Sequence, residues 1–319
     1  MMCHRWGPRP IRKIVGVLAV GATIALIGAS CADAQAPAAA PPEPAAASQS
    51  DQSKSDQPEA DLGVFMRTVL GAPRTWPKLV IPSPTDSASA QPNSAAPAPR
   101  QFPVDRLVRM MLADTEDVWD ELFGYVRRTY ERPWLVLYTG TTHSGCGTAD
   151  NKVSGPHYCE VDKKVYLDLE FFEELRARQS VSGDMSMYYV IGHEIGHHVQ
   201  RLLGILDAAS SLEARLSRGG EIVRKNALSV KIELQADCFA GLVAHHAHRL
   251  RQRLDSGDVE TGVQTAAALG ADRLQKLEQG VVQPESFTHG ASGQRVRWFR
   301  RGLENGSLHT CDTFNAAEL

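Results

Sequence analysis

The chain has 319 residues, which is enough for one large domain or two ordinary ones, and 43% of them are hydrophobic, so a wholly disordered protein is excluded. The formal net charge of −3 gives no sign of an anionic partner, and we expect no nucleic acid to bind. Four arginines near the C-terminus have the spacing that is typical of the solvated side of one helix: Arg295, Arg297, Arg300 and Arg301.

The N-terminus resembles a targeting segment. Basic residues from Arg5 to Lys13 precede an apolar run over 14–30, and Ala32-Asp33-Ala34 follows it. This order predicts a signal peptide over 1–34 that is cleaved before Gln35. The alternatives are a retained span that attaches the protein to the membrane, because the run is near the shortest length that crosses a bilayer, and a lipoprotein signal at Cys31. Each one predicts an exported protein, either secreted or associated with the cell envelope.

Cysteine usage agrees with export. Removal of the leader would leave an even set, which allows three pairings. In an oxidising compartment we favour one local pair that closes a loop and one long-range pair that ties the C-terminus to the core. A zinc site built from thiols is the alternative, but the sequence contains no CxxC pair. The favoured disulfides are Cys146–Cys159 and Cys238–Cys311.

Composition divides the chain into a tether and a folded body. Residues 35–100 are rich in Ala, Pro and Ser, a composition that predicts a disordered linker. An apolar island at 61–81 interrupts the linker, and it could be a docking helix or an arm that packs on the body. The body is predicted to occupy 101–319.

Hydrophobic periodicity predicts an α+β body, with a small sheet ahead of a helical bulk. A helix is predicted over 102–123, and strands over 134–138 and 164–169. Further helices are predicted over 170–178, 184–204, 207–217, 222–252, 257–280 and 291–303.

The helix predicted over 184–204 carries His193-Glu194-Ile195-Gly196-His197. Histidines four residues apart lie on one helical face, where both imidazoles can reach one Zn²⁺ ion. Glu194 points beside such a metal, which suits a general base that takes a proton from water. The motif is short enough to arise by chance, so it needs support from elsewhere in the chain.

A pair of acids on the next long helix supplies that support. Glu233 and Asp237 are also four residues apart, and small apolar residues surround them. One carboxylate can be the third zinc ligand and leave the fourth position to water, as in a site with one catalytic ion. The other carboxylate can accept the N–H of a ligating histidine. A third histidine ligand of the metzincin type is excluded, because Gln200 and Leu203 occupy the positions of its motif.

From about Cys146 to Phe299 the chain resembles the bacterial neutral zinc metallopeptidase family. The resemblance implies a zincin-like, mainly helical fold with zinc on His193, His197 and Glu233 and with Glu194 as base. It also implies Asp237 as the partner of His193, as in thermolysin. Family members commonly have other residues at His157 and Gly192. The matching segments begin at Gly155, Val165, Tyr189, Glu233 and Phe287.

Other histidines are less informative. His289, before the last helix, is a candidate donor to the carbonyl oxygen of a substrate, with Arg295 behind it, and the alternative is an ordinary loop histidine. His245, His246 and His248 are expected at a solvated helix end.

These observations predict an exported zinc-dependent metallopeptidase that acts on peptides or proteins. The alternative is a non-hydrolytic envelope binding or scaffold protein with a structural or vestigial zinc site. Hydrolysis of a non-peptide amide in the cell envelope would use the same machinery.

Overall fold

A computed structural model describes residues 49–77, 79, 104–150, 155–179, 184–255 and 257–319. The predicted signal peptide or membrane span lies outside the described residues, as does much of the predicted linker. None of the helices within the described ranges is both long and apolar enough to cross a lipid bilayer.

The described residues form a mainly helical body with a small sheet, which confirms the predicted α+β class. Two long helices, α4 (Asp184–Leu203) and α6 (Ile222–Arg251), contain the predicted metal ligands. The helices are α1 Gln49–Val69, α2 Val104–Tyr125, α3 Leu169–Gln179, α4 Asp184–Leu203, α5 Ile205–Arg218, α6 Ile222–Arg251, α7 Asp258–Ala268, α8 Ala271–Gln279 and α9 Ser292–Asn305.

The sheet lies between α2 and α3 in the chain. Its strands are β1 Trp134–Tyr138, β4 His157–Cys159 and β5 Lys164–Asp168, in the order β1-β5-β4. Strand β1 is parallel to β5, whereas β4 is antiparallel to it. A separate hairpin, β2 Thr141–Ser144 with β3 Gly147–Asp150, was not predicted.

One predicted helix is two helices in the structure. Residues 257–280 were expected to be continuous, but α7 ends at Ala268 and α8 begins at Ala271. Gly270 between them is extended, and a Cβ atom there would lie 2.3 Å from Ser292 Oγ at the start of α9. Contact with α9 therefore requires the chain to turn at this point, which local periodicity does not reveal.

Small residues allow helices α4 and α6 to approach closely. A Cβ atom on Gly192 would lie 3.2 Å from Ala240 Cα, and one on Gly196 would lie 3.2 Å from Ala236 Cα. The short distance between the two backbones brings the histidines of α4 next to the acids of α6.

Helices α6 and α9 are closer still. A Cβ atom on Gly241 would lie 2.0 Å from Phe299 O, and one on Gly302 would lie 1.9 Å from Cys238 O. Large side chains on either side of this crossing, including Phe239, Phe299 and Trp298, are completely buried. The core is therefore centred on α6, with α4 and α9 against it.

Helix α1 contains much of the apolar island and packs on the body. Its buried side chains are Leu62, Met66 and Val69. Arg224 of α6 pairs with Glu59 at 2.7 Å, and Asn315 Nδ2 donates to the Gly63 carbonyl at 2.8 Å. The helix begins at Gln49, ahead of the predicted island, and its contacts are those of a docking helix.

The structure contains the two disulfides that the sequence analysis favoured. Cys146–Cys159 joins the β2–β3 hairpin to β4, and Cys238–Cys311 joins α6 to the C-terminal segment.

Candidate metal centre

Three side chains from α4 and α6 meet at one buried point. His193 Nε2 lies 3.2 Å from Glu233 Oε2, and His197 Nε2 lies 3.5 Å from Glu233 Oε1. One ligand atom from each residue lies within 4.8 Å of the others, and all three side chains are buried. The residues predicted from two separate motifs are therefore brought together by the contact between α4 and α6.

The donor set suits a divalent cation. Both histidines direct Nε2 towards the Glu233 carboxylate. If the imidazoles are neutral and Nε2 carries no proton, its lone pair faces the lone pairs of the carboxylate oxygens. A cation between these atoms converts that repulsion into ligation. Two imidazoles with one carboxylate form a ligand set that zinc uses in catalytic sites.

The charge balance points the same way. Glu194, Glu233 and Asp237 are buried carboxyl groups, and Arg295 is a completely buried guanidinium that pairs with Asp237. Buried charges are costly unless they are compensated. A divalent ion held by His193, His197 and Glu233 would provide positive charge at the carboxyl groups that do not pair with Arg295.

Asp237 holds the first histidine. His193 Nδ1 lies 2.8 Å from Asp237 Oδ1, and because a carboxylate only accepts, Nδ1 is the donor. Arg295 donates to both carboxylate oxygens, at 2.9 and 2.7 Å, and Tyr189 OH donates to Oδ1. The proton on Nδ1 leaves Nε2 directed at the centre.

These contacts also determine the ionisation of the pair. Burial by itself lowers the pKa of His193, but Asp237 and Glu233 overcome it and raise the pKa to about 9. Burial raises the pKa of Asp237, yet Arg295 and then His193 bring it below the usual range. The site thus favours positive charge at His193, and a metal ion can supply it in place of a proton.

Glu194 lies in a narrow cleft at the edge of this centre. The cleft is lined by His193 and Glu194 together with apolar neighbours that include Phe171, Val190 and Leu269. Glu194 is 1% exposed. A carboxylate at this position, next to His193 in the chain, is a candidate general base.

His289 lies at the more open side of the centre. Its Nε2 is 3.7 Å from Glu233 Oε2, and its side chain is 17% exposed. The structure therefore brings this residue, from the loop before α9, close to the predicted ligand Glu233.

The expectation that Arg295, His245 and His246 are solvated was wrong. Arg295 is not on a solvated helix face, because it is buried against Asp237. His245 and His246 are also buried, at 2.7 Å from the Leu303 and Gly306 carbonyls respectively. The end of α9 covers this part of α6, and that contact is not visible in the local sequence.

Gln200 and Gln235 are site residues that the sequence analysis did not assign. His197 Nδ1 lies 2.9 Å from Gln200 Oε1, and Gln200 in turn donates to Gln235. The position of Gln200, one turn after His197 on the same helical face, is the signal that could have identified it.

Comparison with known proteins agrees with the geometry. A family model described as "Putative neutral zinc metallopeptidase" matches residues 79–314, which is most of the chain. The chain belongs to this family.

Two relatives from different organisms are similar to the chain over about two thirds of its length or more. Uncharacterized protein YpfJ of Escherichia coli (strain K12) is 42% identical over 226 residues, which cover 71% of this chain and 77% of the relative. Uncharacterized protein Rv2575 of Mycobacterium tuberculosis (strain ATCC 25618 / H37Rv) is 37% identical over 225 residues, which cover 67% and 73% respectively. No solved structure shows significant similarity to the chain.

Proposed function

We propose that this protein is an exported zinc-dependent peptidase that hydrolyses peptide bonds in peptides or proteins. The observation that carries the proposal is the meeting of His193, His197 and Glu233 at one buried point, with Glu194 in the adjoining cleft. Membership of a zinc metallopeptidase family supports the same conclusion.

In this proposal one zinc ion is held by His193, His197 and Glu233. When bound, zinc acts as a Lewis acid that activates water and polarises a substrate carbonyl. Glu194 accepts the proton of the attacking water and later donates it to the nitrogen of the leaving amine. Asp237 keeps the proton on His193 Nδ1, so that Nε2 stays available for ligation.

His289 completes the proposed machinery. Negative charge develops on the carbonyl oxygen during attack, and a hydrogen-bond donor aimed at that oxygen stabilises it. The His289 side chain is partly exposed and its Nε2 lies 3.7 Å from Glu233 Oε2, so we place it beside the carbonyl oxygen of a bound substrate.

A non-hydrolytic scaffold with a structural zinc site is less well supported. Structural sites usually close with a fourth protein ligand, and Cys238 stands next to Asp237 in the sequence. Cys238 is bonded to Cys311 and cannot donate a thiolate. Glu194 in the cleft would also have no use in a site of that kind.

Export is supported by the two disulfides, since such bonds persist in oxidising compartments. Secretion of the mature chain and retention at the cell envelope both fit this support. The mass of the N-terminus in purified protein from the native host would distinguish cleavage before Gln35 from a retained span.

The deciding experiment uses the purified protein with zinc, assayed on a peptide library and on envelope polymers, with and without chelator. Glu194→Gln should bind zinc normally and lose at least about 100-fold in rate, because it removes the base without removing a ligand. Peptide cleavage that survives in Glu194→Gln would show that the base is misassigned. Zinc binding by the wild type without hydrolysis of either substrate class would favour the scaffold.

A further inference from the structure

The second histidine of the centre is held by a neutral amide, unlike the first. His197 Nδ1 lies 2.9 Å from Gln200 Oε1, and Gln200 Nε2 donates to the Ile232 carbonyl at 2.8 Å. A backbone carbonyl can only accept, so the amide nitrogen must face Ile232 and the amide oxygen must face His197. The orientation of the Gln200 side chain therefore follows from its partners.

The partners of Gln235 determine the orientation of its side chain in the same way. Gln235 Nε2 donates to the Cys311 carbonyl at 3.0 Å, so Gln235 Oε1 is the atom that accepts from Gln200 Nε2, also at 3.0 Å. The hydrogen bonds run in one direction, from His197 through Gln200 and Gln235 to Cys311. All four residues are completely buried.

This direction determines the tautomer of a proposed ligand. Because this series of hydrogen bonds ends on the Cys311 carbonyl, which only accepts, His197 must donate from Nδ1. Its Nε2, at 3.5 Å from Glu233, then carries the lone pair that a metal needs.

A disulfide holds the residue that provides the last acceptor in this series of hydrogen bonds. Cys311 is bonded to Cys238, which lies three residues after Gln235 on α6. The disulfide thus holds the final acceptor next to the helix that carries its donor.

We propose that Gln200 and Gln235 are positioning residues for His197, and that the Cys238–Cys311 disulfide stabilises the metal centre through them. This inference rests on the metal site of the proposed function. It predicts that zinc affinity depends on two amides and a disulfide that do not touch the ion.

The first test measures zinc affinity by competition with a chromophoric chelator. Gln200→Met keeps a long, unbranched side chain but removes both hydrogen-bonding groups, and affinity should fall about 10- to 100-fold. Gln275→Met on α8 is the matched control, because the Gln275 side chain makes two hydrogen bonds, with Ser286 and with Gln283. That control should bind zinc as the wild type does.

Cobalt substitution separates positioning from general stability. The absorption bands of bound Co²⁺ report the ligand field, so they should shift in Gln200→Met and stay in place in Gln275→Met. A purely structural role for Gln200 would reduce the yield of folded protein and leave the bands unchanged. If Gln200→Met does not fold, Gln235→Met is used instead. It removes the next hydrogen bond in the series, one step further from His197, and should shift the bands in the same way.

The disulfide is tested with serine variants, because thiol reductants themselves bind zinc. Cys238→Ser with Cys311→Ser should weaken zinc binding about 10-fold, within the range for residues that support ligands. Cys146→Ser with Cys159→Ser removes the other disulfide and should leave the affinity unchanged. Equal loss in both double variants would overturn the specific role of Cys238–Cys311.

The outcomes also separate this inference from the proposed function. A wild-type protein that binds no zinc would refute the proposed function itself. Tight binding by the wild type, with the same affinity and the same cobalt bands in Gln200→Met, would overturn only the positioning role.

Discussion

His193 Nδ1 donates to Asp237 across the contact between α4 and α6, over a distance of 2.8 Å. Arg295 of α9 donates to both oxygens of the same carboxylate, so three helices meet at one buried ion pair. The orientation of a proposed metal ligand is therefore part of the packing of the core, and changes to that packing should be measurable at the site.

Asp237→Asn should lower zinc affinity about 10- to 100-fold, because the amide supports His193 less well than a carboxylate does. It should also destabilise the fold by about 3 kcal/mol, since it leaves the buried Arg295 without its charge partner. Chelator competition and denaturant unfolding of the zinc-loaded protein measure the two effects. Asp120→Asn, which removes an exposed carboxylate that pairs with Arg132, is the control. An Asp237→Asn variant with wild-type affinity would contradict the proposed support of His193.

His289→Ala should keep one zinc ion per chain and lower kcat by about 100-fold, as expected for loss of a donor to a developing oxyanion. Metal analysis and peptide hydrolysis are measured on the same preparation. The residue lies at the edge of the centre, and we therefore expect the fold to tolerate the change. Unchanged turnover would remove His289 from the mechanism.

The metal-free protein should become less stable as pH rises from about 6.5 to about 9. The pKa of His193 is raised to about 9 in the folded state, from an ordinary value of 6.5. The protonated histidine therefore stabilises the fold fully below pH 6.5, and that contribution is lost as pH rises through the folded pKa.

Zinc should reverse this trend, because protons compete with the metal for the histidines and binding strengthens as pH rises. Denaturant unfolding at pH 6.5 and 9, with and without zinc, tests both directions. Metal-free His193→Gln should lose the dependence that is due to this group. If the metal-free wild type were more stable at pH 9 than at pH 6.5, the assigned ionisation of His193 would be wrong.

Gly302→Ala should lower the free energy of unfolding by about 1–3 kcal/mol or more. The added Cβ would meet the Cys238 carbonyl and force α9 away from α6. Gly293→Ala is a control in the same helix, where an added Cβ meets nothing within 4 Å. That substitution should be neutral or stabilise the protein by up to about 1 kcal/mol, since alanine favours helix. Thermal or denaturant unfolding of both variants provides the comparison.

The α+β class and the positions of α4 and α6 could be predicted because they depend on local periodicity. The break between α7 and α8 could not, since it arises where Gly270 packs against Ser292 of α9. The strands of the β2–β3 hairpin were also missed, because they are short and lack a strong alternation of apolar residues. In both cases the segment's own sequence carries too little information to decide its conformation.

The sequence by itself determined which side chains of one helix share a face, because the helical period places residues i and i+4 together. That is why the spacing alone could predict two pairs, His193 with His197 and Glu233 with Asp237. Only the tertiary structure decided that the pairs meet, that Arg295 is buried on Asp237 and that Gln200 and Gln235 connect His197 to Cys311. Those contacts join residues from separate elements, and they form because small residues on α4, α6 and α9 let three backbones pack closely together.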